Sequence, residues 1–172
     1  MRLCSRCASL GLVICSALVN ARADLTWNWN YFGSGIAAAG TLTTSDTADS
    51  SGFYQVLSIS GSRDEVEITG LYPTGMAIPG NEPFTVDNLL KPGPGGQLTT
   101  HGLGYTLASG AYANPFFADF ATPPGYLEVF TQGSVYRELP VQFYATPVPE
   151  VLSTAWAFSG LVIMALGRNL RR

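Results

Sequence analysis

The chain has 172 residues, three cysteines, a single histidine and a formal charge of −3. Cys4, Cys7 and Cys15 all lie near the start, so the stretch from Asp24 onward has no thiol; disulfides, thiolate catalysis and Cys-ligated zinc are excluded there. Six of the nine basic residues sit at the two ends (Arg2, Arg6, Arg22, Arg168, Arg171, Arg172), and between Asp24 and Ala145 only Arg63, Lys91 and Arg137 face eleven acids. The resulting net charge of −8 repels phosphate backbones and argues against a nucleic-acid partner.

Residues 1–23 read as a secretory signal peptide. Arg2 and Arg6 supply a positive start, Leu10 to Val19 an apolar run, and Ala21 and Ala23 the small residues of a cleavage site. An apolar run of about 10 residues is too short to span roughly 30 Å of hydrocarbon.

Residues 24–145 read as one exported β-domain. Leu25, Trp27, Trp29 and Tyr31 alternate with Thr26, Asn28 and Asn30, the period-2 pattern of a half-buried strand. Further strands are predicted over 35–43, 53–60, 66–72, 98–107, 111–120, 126–131 and 135–144, rich in β-branched and aromatic residues. Gly61-Ser62-Arg63-Asp64, Ser109-Gly110 and Gln132-Gly133-Ser134 read as hairpin turns. The segment from Pro73 to Gly96 carries five prolines and repeated glycines, which exclude a central strand or long helix. Within it, 84–90 is predicted as a short strand or helical turn. The fold class expected is all-β, an antiparallel β-sandwich or small β-barrel.

Few residues in this domain suggest chemistry. Gly33-Ser34-Gly35-Ile36-Ala37-Ala38 fits a dinucleotide-binding spacing, but strand and turn residues follow it where a helix is required, so a hairpin step is expected. His101 is the sole candidate imidazole base and lacks a recognisable nucleophile motif around any serine. Asp64, Glu65 and Glu67, and separately Asp46 and Asp49, read as solvated acidic clusters without calcium-loop spacing. Trp27 and Trp29 suit either core packing or a sugar-stacking platform, with Asn81, Asp87 and Asn88 as polar ligand contacts in the long break. No catalytic residue, metal or cofactor is expected.

Beyond the domain, residues 146–150 read as a short linker ending in Val148-Pro149-Glu150. An apolar transmembrane helix is expected over 151–167, followed by a basic cytoplasmic tail, 168–172, with Arg168, Arg171 and Arg172. The sixteen residues from Val151 to Leu166 make about 24 Å of helix, and snorkelling arginines extend that reach.

Together, Val148-Pro149-Glu150, the apolar run and the terminal arginines resemble the PEP-CTERM sorting signal of Gram-negative bacteria, with Val151 in place of the usual second proline. The domain also resembles short β-rich PEP-CTERM proteins in its Trp-x-Trp-x-Tyr start, its Thr-Leu-Thr-Thr strand, Ile68-Thr69-Gly70-Leu71 and Val86-Asp87-Asn88-Leu89-Leu90. The resemblance implies export across the inner membrane and transient membrane anchoring. It further implies that an exosortase-type membrane protease recognises Val148, Pro149 and Glu150, with the arginines as a retention tail. The expected destination is the envelope, cell surface or extracellular matrix, in association with exopolysaccharide. The function expected is structural or adhesive and non-enzymatic. A carbohydrate- or small-ligand-binding module is the alternative, and a secreted hydrolase ranks last.

Overall fold

The computed structural model describes residues 24–149. Nine strands follow one another: β1 Leu25–Gly33, β2 Ile36–Thr44, β3 Tyr54–Arg63, β4 Val66–Leu71, β5 Leu89–Leu90, β6 Tyr105–Leu107, β7 Tyr112–Ala118, β8 Gly125–Gln132 and β9 Val135–Pro147. Eight of them, all but β5, pair antiparallel in chain order, and β9 returns to pair with β1, closing a barrel. Closure removes the exposed edges that a sandwich of the same strands would present.

The alternation in β1 places Trp27, Trp29 and Tyr31 inside the barrel, with Thr26, Asn28 and Asn30 outside. Leu42, Ile59, Ile68, Tyr105, Leu107, Val141 and Phe143 complete the interior from the other strands. Trp29 lies 6.5 Å from the Phe143 ring and 6.2 Å from that of Tyr105, within the range of favourable aromatic pairing. The lumen is a packed core.

Gly40 and Gly61 make this packing possible on one side. They face each other across the β2–β3 pair, and a Cβ on Gly40 would lie 1.8 Å from the Ser60 carbonyl oxygen. The expected turn at Gly61 therefore sits two residues later. Asp64 and Glu65, both at positive φ, form the two-residue β3–β4 turn, and the Asp64 carboxylate accepts the Ala37 amide at 2.8 Å. Gly33-Ser34-Gly35 closes the β1–β2 hairpin, with Ser34 and Gly35 at positive φ.

The tight hairpins 33–36, 63–66, 107–112 and 132–135 all lie at one end of the barrel. The longer connections 44–54, 71–105 and 118–125 lie at the other, with both ends of the described chain. Most of the excursion from 72 to 104 has no regular structure. Its residues 87–90 fill a gap in the wall: β3 pairs with β4 only at Ser62 and Arg63, while Tyr54 and Gln55 pair with Leu90 and Leu89 of β5. The strand predicted over 98–107 is regular only in β6, because Gly102 at φ 67° kinks the chain. Residues 99 and 103 still bond β7, through Phe117 N–H to Thr99 O and Leu103 N–H to Pro115 O.

The excursion also covers the outside of β7 and β8. Ile78 and Val86 pack there on Phe116, Ala118 and Val129 as a second apolar cluster. At the barrel end Gln97 completes the β9 ladder where β8 has stopped, donating to Ala145 O at 2.8 Å and accepting Ala145 N–H at 2.9 Å. Thr146 and Pro147, expected as linker, belong to β9. They pair with Asn28 and Trp27, and Val148 N–H donates to Thr26 O at 2.8 Å.

Candidate functional site

Three places bear on function: a polar cluster inside the barrel, the end of β9, and a pocket in the wall. Inside, β8 turns Glu128 inward, where it is fully buried. Arg63 from β3 forks onto it, Nε to Oε1 at 2.7 Å and Nη2 to Oε2 at 2.8 Å, while the Tyr31 hydroxyl donates to Oε1 and hydrogen-bonds Tyr105. Arg63 also reaches Asp64 at 2.9 Å and lies 4.4 Å over the Phe130 ring. Burial opposes the charge on Arg63, yet the hydrogen bonds and negative charge of Glu128 outweigh it and strengthen its hold on the proton. Burial, with the Glu128 charge added, raises both Tyr31 and Tyr105 well above the ordinary tyrosine range, so both stay neutral donors. With the carboxylate sealed and its donors matched, this cluster is a brace between β1, β3, β6 and β8.

At the end of β9, Val148 is held by its one backbone bond, while its side chain and Pro149 are exposed. The other residues expected to act in sorting and processing, Ala21, Ala23, Glu150, Arg168, Arg171 and Arg172, lie outside the described residues, as do the expected signal peptide and transmembrane helix.

The wall pocket lies outside β7, β8 and β9, beneath the excursion, and holds about 190 Å³. Its floor is Phe116 and Val129, flanked by Asn114 and Asn81. Phe84, Phe120 and Tyr136 form an aromatic rim and are 67%, 69% and 51% exposed, beside His101 and Glu138. Tyr136 and Glu138 share the outer face of β9 because strand residues two apart do so, and their side chains hydrogen-bond at 3.2 Å. Asn114, 4% exposed, donates both amide hydrogens, to His101 O at 3.0 Å and Leu103 O at 2.9 Å. His101 Nδ1 meets Thr85 O at 2.8 Å; a carbonyl only accepts, so Nδ1 carries the hydrogen and Nε2 of the neutral ring is an acceptor.

The structure separates the ligand contacts anticipated from sequence. Trp27 and Trp29 are 1% and 2% exposed, so a sugar platform on β1 is ruled out: inward alternation gives their faces to the core. Asp87 and Asn88 hold the excursion in shape. Asp87 accepts the Thr99 hydroxyl at 2.6 Å and the Leu89 amide at 3.2 Å, with burial raising its carboxyl and these hydrogen bonds lowering it. Asn88 donates to Tyr72 O and Thr74 Oγ1 and accepts Gly104 N–H. Asn81 alone of the five lines the pocket. Asp46, Asp49, Glu65 and Glu67 line no part of it, and Asp49 caps its own loop by accepting Ser51 N–H and Phe53 N–H. The aromatics of the rim were missed because all three fell in segments predicted as strand or turn (84–90, 111–120 and 135–144), whereas Phe84 and Phe120 lie outside any strand. No known protein family, curated protein or solved structure matches the chain.

Proposed function

We propose that this chain is an exported, non-enzymatic β-barrel that serves a structural or adhesive role in the envelope or matrix. In this reading a PEP-CTERM-like tail sorts it, an exosortase-type protease reads Val148-Pro149-Glu150, and the apolar run anchors the protein until release. Exopolysaccharide is the surrounding partner.

The observation that carries the reading is the position of the two ends. β1 begins where β9 finishes, with Trp27 opposite Pro147, so the leader and the tail join the barrel side by side. Only Pro149 and Glu150 then separate the hydrogen-bonded Val148 from the apolar run, about 7 Å of extended chain. A domain so tethered stands with one end against the membrane and its wall and hairpin end free. Pro149 and the Val148 side chain are meanwhile exposed for recognition.

The test is intact mass and fractionation of the full chain in hosts with and without an exosortase. A mature species ending between Val148 and Glu150, present only with the enzyme, is the expected result. Retention of the whole tail in both hosts overturns the sorting reading and leaves a plain membrane anchor.

A further inference from the structure

We propose that the wall pocket binds a neutral pyranose unit of a glycan. This extends the adhesive reading but rests on different residues, and it holds whether or not the tail is processed.

Buried amides carry the first part of the case. Asn81 is 5% exposed, lines the pocket, and its side-chain amide makes no hydrogen bond among the described residues. Asn114 spends both donors on carbonyls, which leaves its Oδ1 as an acceptor with no donor among the described residues. The unpaired atoms of these two amides are not sealed from solvent: they open onto the pocket, where a bound group can pair with them. A sugar hydroxyl both donates and accepts, so a pair of adjacent hydroxyls satisfies Asn81, Asn114 Oδ1 and the His101 Nε2 acceptor together. An acyl chain or a plain aromatic would leave all of them unpaired.

The rim supplies the complementary half. A pyranose presents an apolar C–H face, which suits the exposed rings of Phe84, Phe120 and Tyr136. The pocket's 190 Å³ is below the roughly 300–1,000 Å³ of drug-sized sites, a scale suited to one ring with its chain continuing into solvent. Charge then narrows the class. Glu138 stands on the rim, no lysine or arginine among the described residues lines the pocket, and the domain carries −8, so uronates and sulfated sugars are disfavoured.

The experiment is saturation-transfer NMR on the full chain in a detergent without a sugar headgroup. The probes are methyl glycosides of glucose, galactose, mannose and N-acetylglucosamine, neutral oligosaccharides of the same sugars, and oligogalacturonate as the anionic comparison. The expected result is transfer to at least one neutral glycoside or oligosaccharide, and weaker or no transfer to oligogalacturonate. Affinity should fall roughly tenfold or more in Tyr136→Ala and Phe120→Ala. Both side chains are exposed, so thermal melting should match the parent and separate lost binding from lost folding. Phe32→Ala, which removes an exposed ring stacked on Tyr144 at a 6.2 Å centroid distance away from the pocket, should bind as the parent does. The proposal falls if no neutral probe binds, if the anionic probe binds best, or if Phe32→Ala weakens binding as much as the pocket variants. Exclusive binding of an apolar dye in the pocket also overturns it. Sorting is read by mass and fractionation and glycan binding by NMR, so failure of one leaves the other standing.

Discussion

Replacing Glu128 with glutamine isolates what the buried brace contributes, because the side chain keeps its shape and loses its charge. The carboxylate accepts from Arg63 Nε and Tyr31 on Oε1 and from Arg63 Nη2 on Oε2. A glutamine oxygen at the Oε1 position keeps two of these bonds but turns an NH₂ toward Arg63 Nη2, donor against donor. The guanidinium then remains inside the barrel with only Asp64 as its ionic partner. Removing one member of a buried pair costs about 3–5 kcal/mol. That is a large share of the roughly 5–15 kcal/mol that holds a domain together. With a urea slope of about 2 kcal/mol per molar, the unfolding midpoint should drop by roughly 2 M. The assay is urea unfolding of the full chain in micelles, followed by near-ultraviolet circular dichroism of the packed aromatics. In the double variant R63M/E128L both charges go, so measured against the single variants Arg63→Met and Glu128→Leu it should recover much of their summed loss, giving a coupling of about 2 kcal/mol or more. A loss below about 1 kcal/mol for Glu128→Gln, or a double variant as unstable as the summed singles, would refute the reasoning.

Two further perturbations test the tyrosines of the same brace and the β2–β3 contact. Tyr31 and Tyr105 hold their protons above the ordinary value of 10.0, so their stabilising effect is complete below that pH. It should be lost as pH rises further, because the unfolded chain then releases protons that the folded one keeps. The slope should approach about 1.4 kcal/mol per pH unit for each tyrosine, and Tyr31→Phe should remove one tyrosine's share, as read from melting between about pH 9 and 11. Gly40→Ala should destabilise the barrel by about 3 kcal/mol, the upper end for overpacking, because the obstructing atoms are backbone. An unchanged urea midpoint in that variant would mean that β2 and β3 do not approach as closely as described.

The residues that made strands legible are those whose surroundings obey a simple inside–outside rule. Trp27, Trp29 and Tyr31 alternate with small polar residues because one face of β1 meets the core and the other is open, and the alternation from Leu139 to Ala145 in β9 has the same cause. β8 was located, but its polarity misleads. Leu127 and Val129 face outward because the excursion covers them, while Glu128 faces inward because Arg63 waits there. A period of two identifies a strand without saying which face is inside when both are covered. Closure was equally hidden, since the β1–β9 pairing joins residues more than a hundred positions apart. Thr146 and Pro147 looked like linker because proline ends most strand patterns. The pocket escaped for a similar reason: Asn81, Asn114 and Tyr136 belong to three separate segments and meet only after the excursion folds back.

That excursion is where the barrel acquires anything beyond stability. The lumen of this eight-stranded barrel is packed with Trp27, Trp29, Tyr105 and Phe143, and the wall pocket lies outside it. A bare antiparallel wall offers only shallow relief. Residues 72–104 change this by leaving the end where β1 starts and β9 finishes, laying Ile78 and Val86 against β7 and β8, and returning through Gly102 and Gly104 into β6. Laying a chain over the wall creates a second, smaller core, and the pocket is the open margin of that core. Phe116 and Val129 continue from buried cluster to pocket floor. Its position follows from the same path. Tyr136 precedes Pro147 by eleven residues of β9, about 36 Å of strand at about 3.3 Å per residue. Under the proposed anchoring through the tail, this margin would stand on the free part of the wall. Loss of the excursion's brace should then affect the pocket before it affects the barrel, because Asn88 ties 72–74 to 104 while β1, β2, β8 and β9 pair without it.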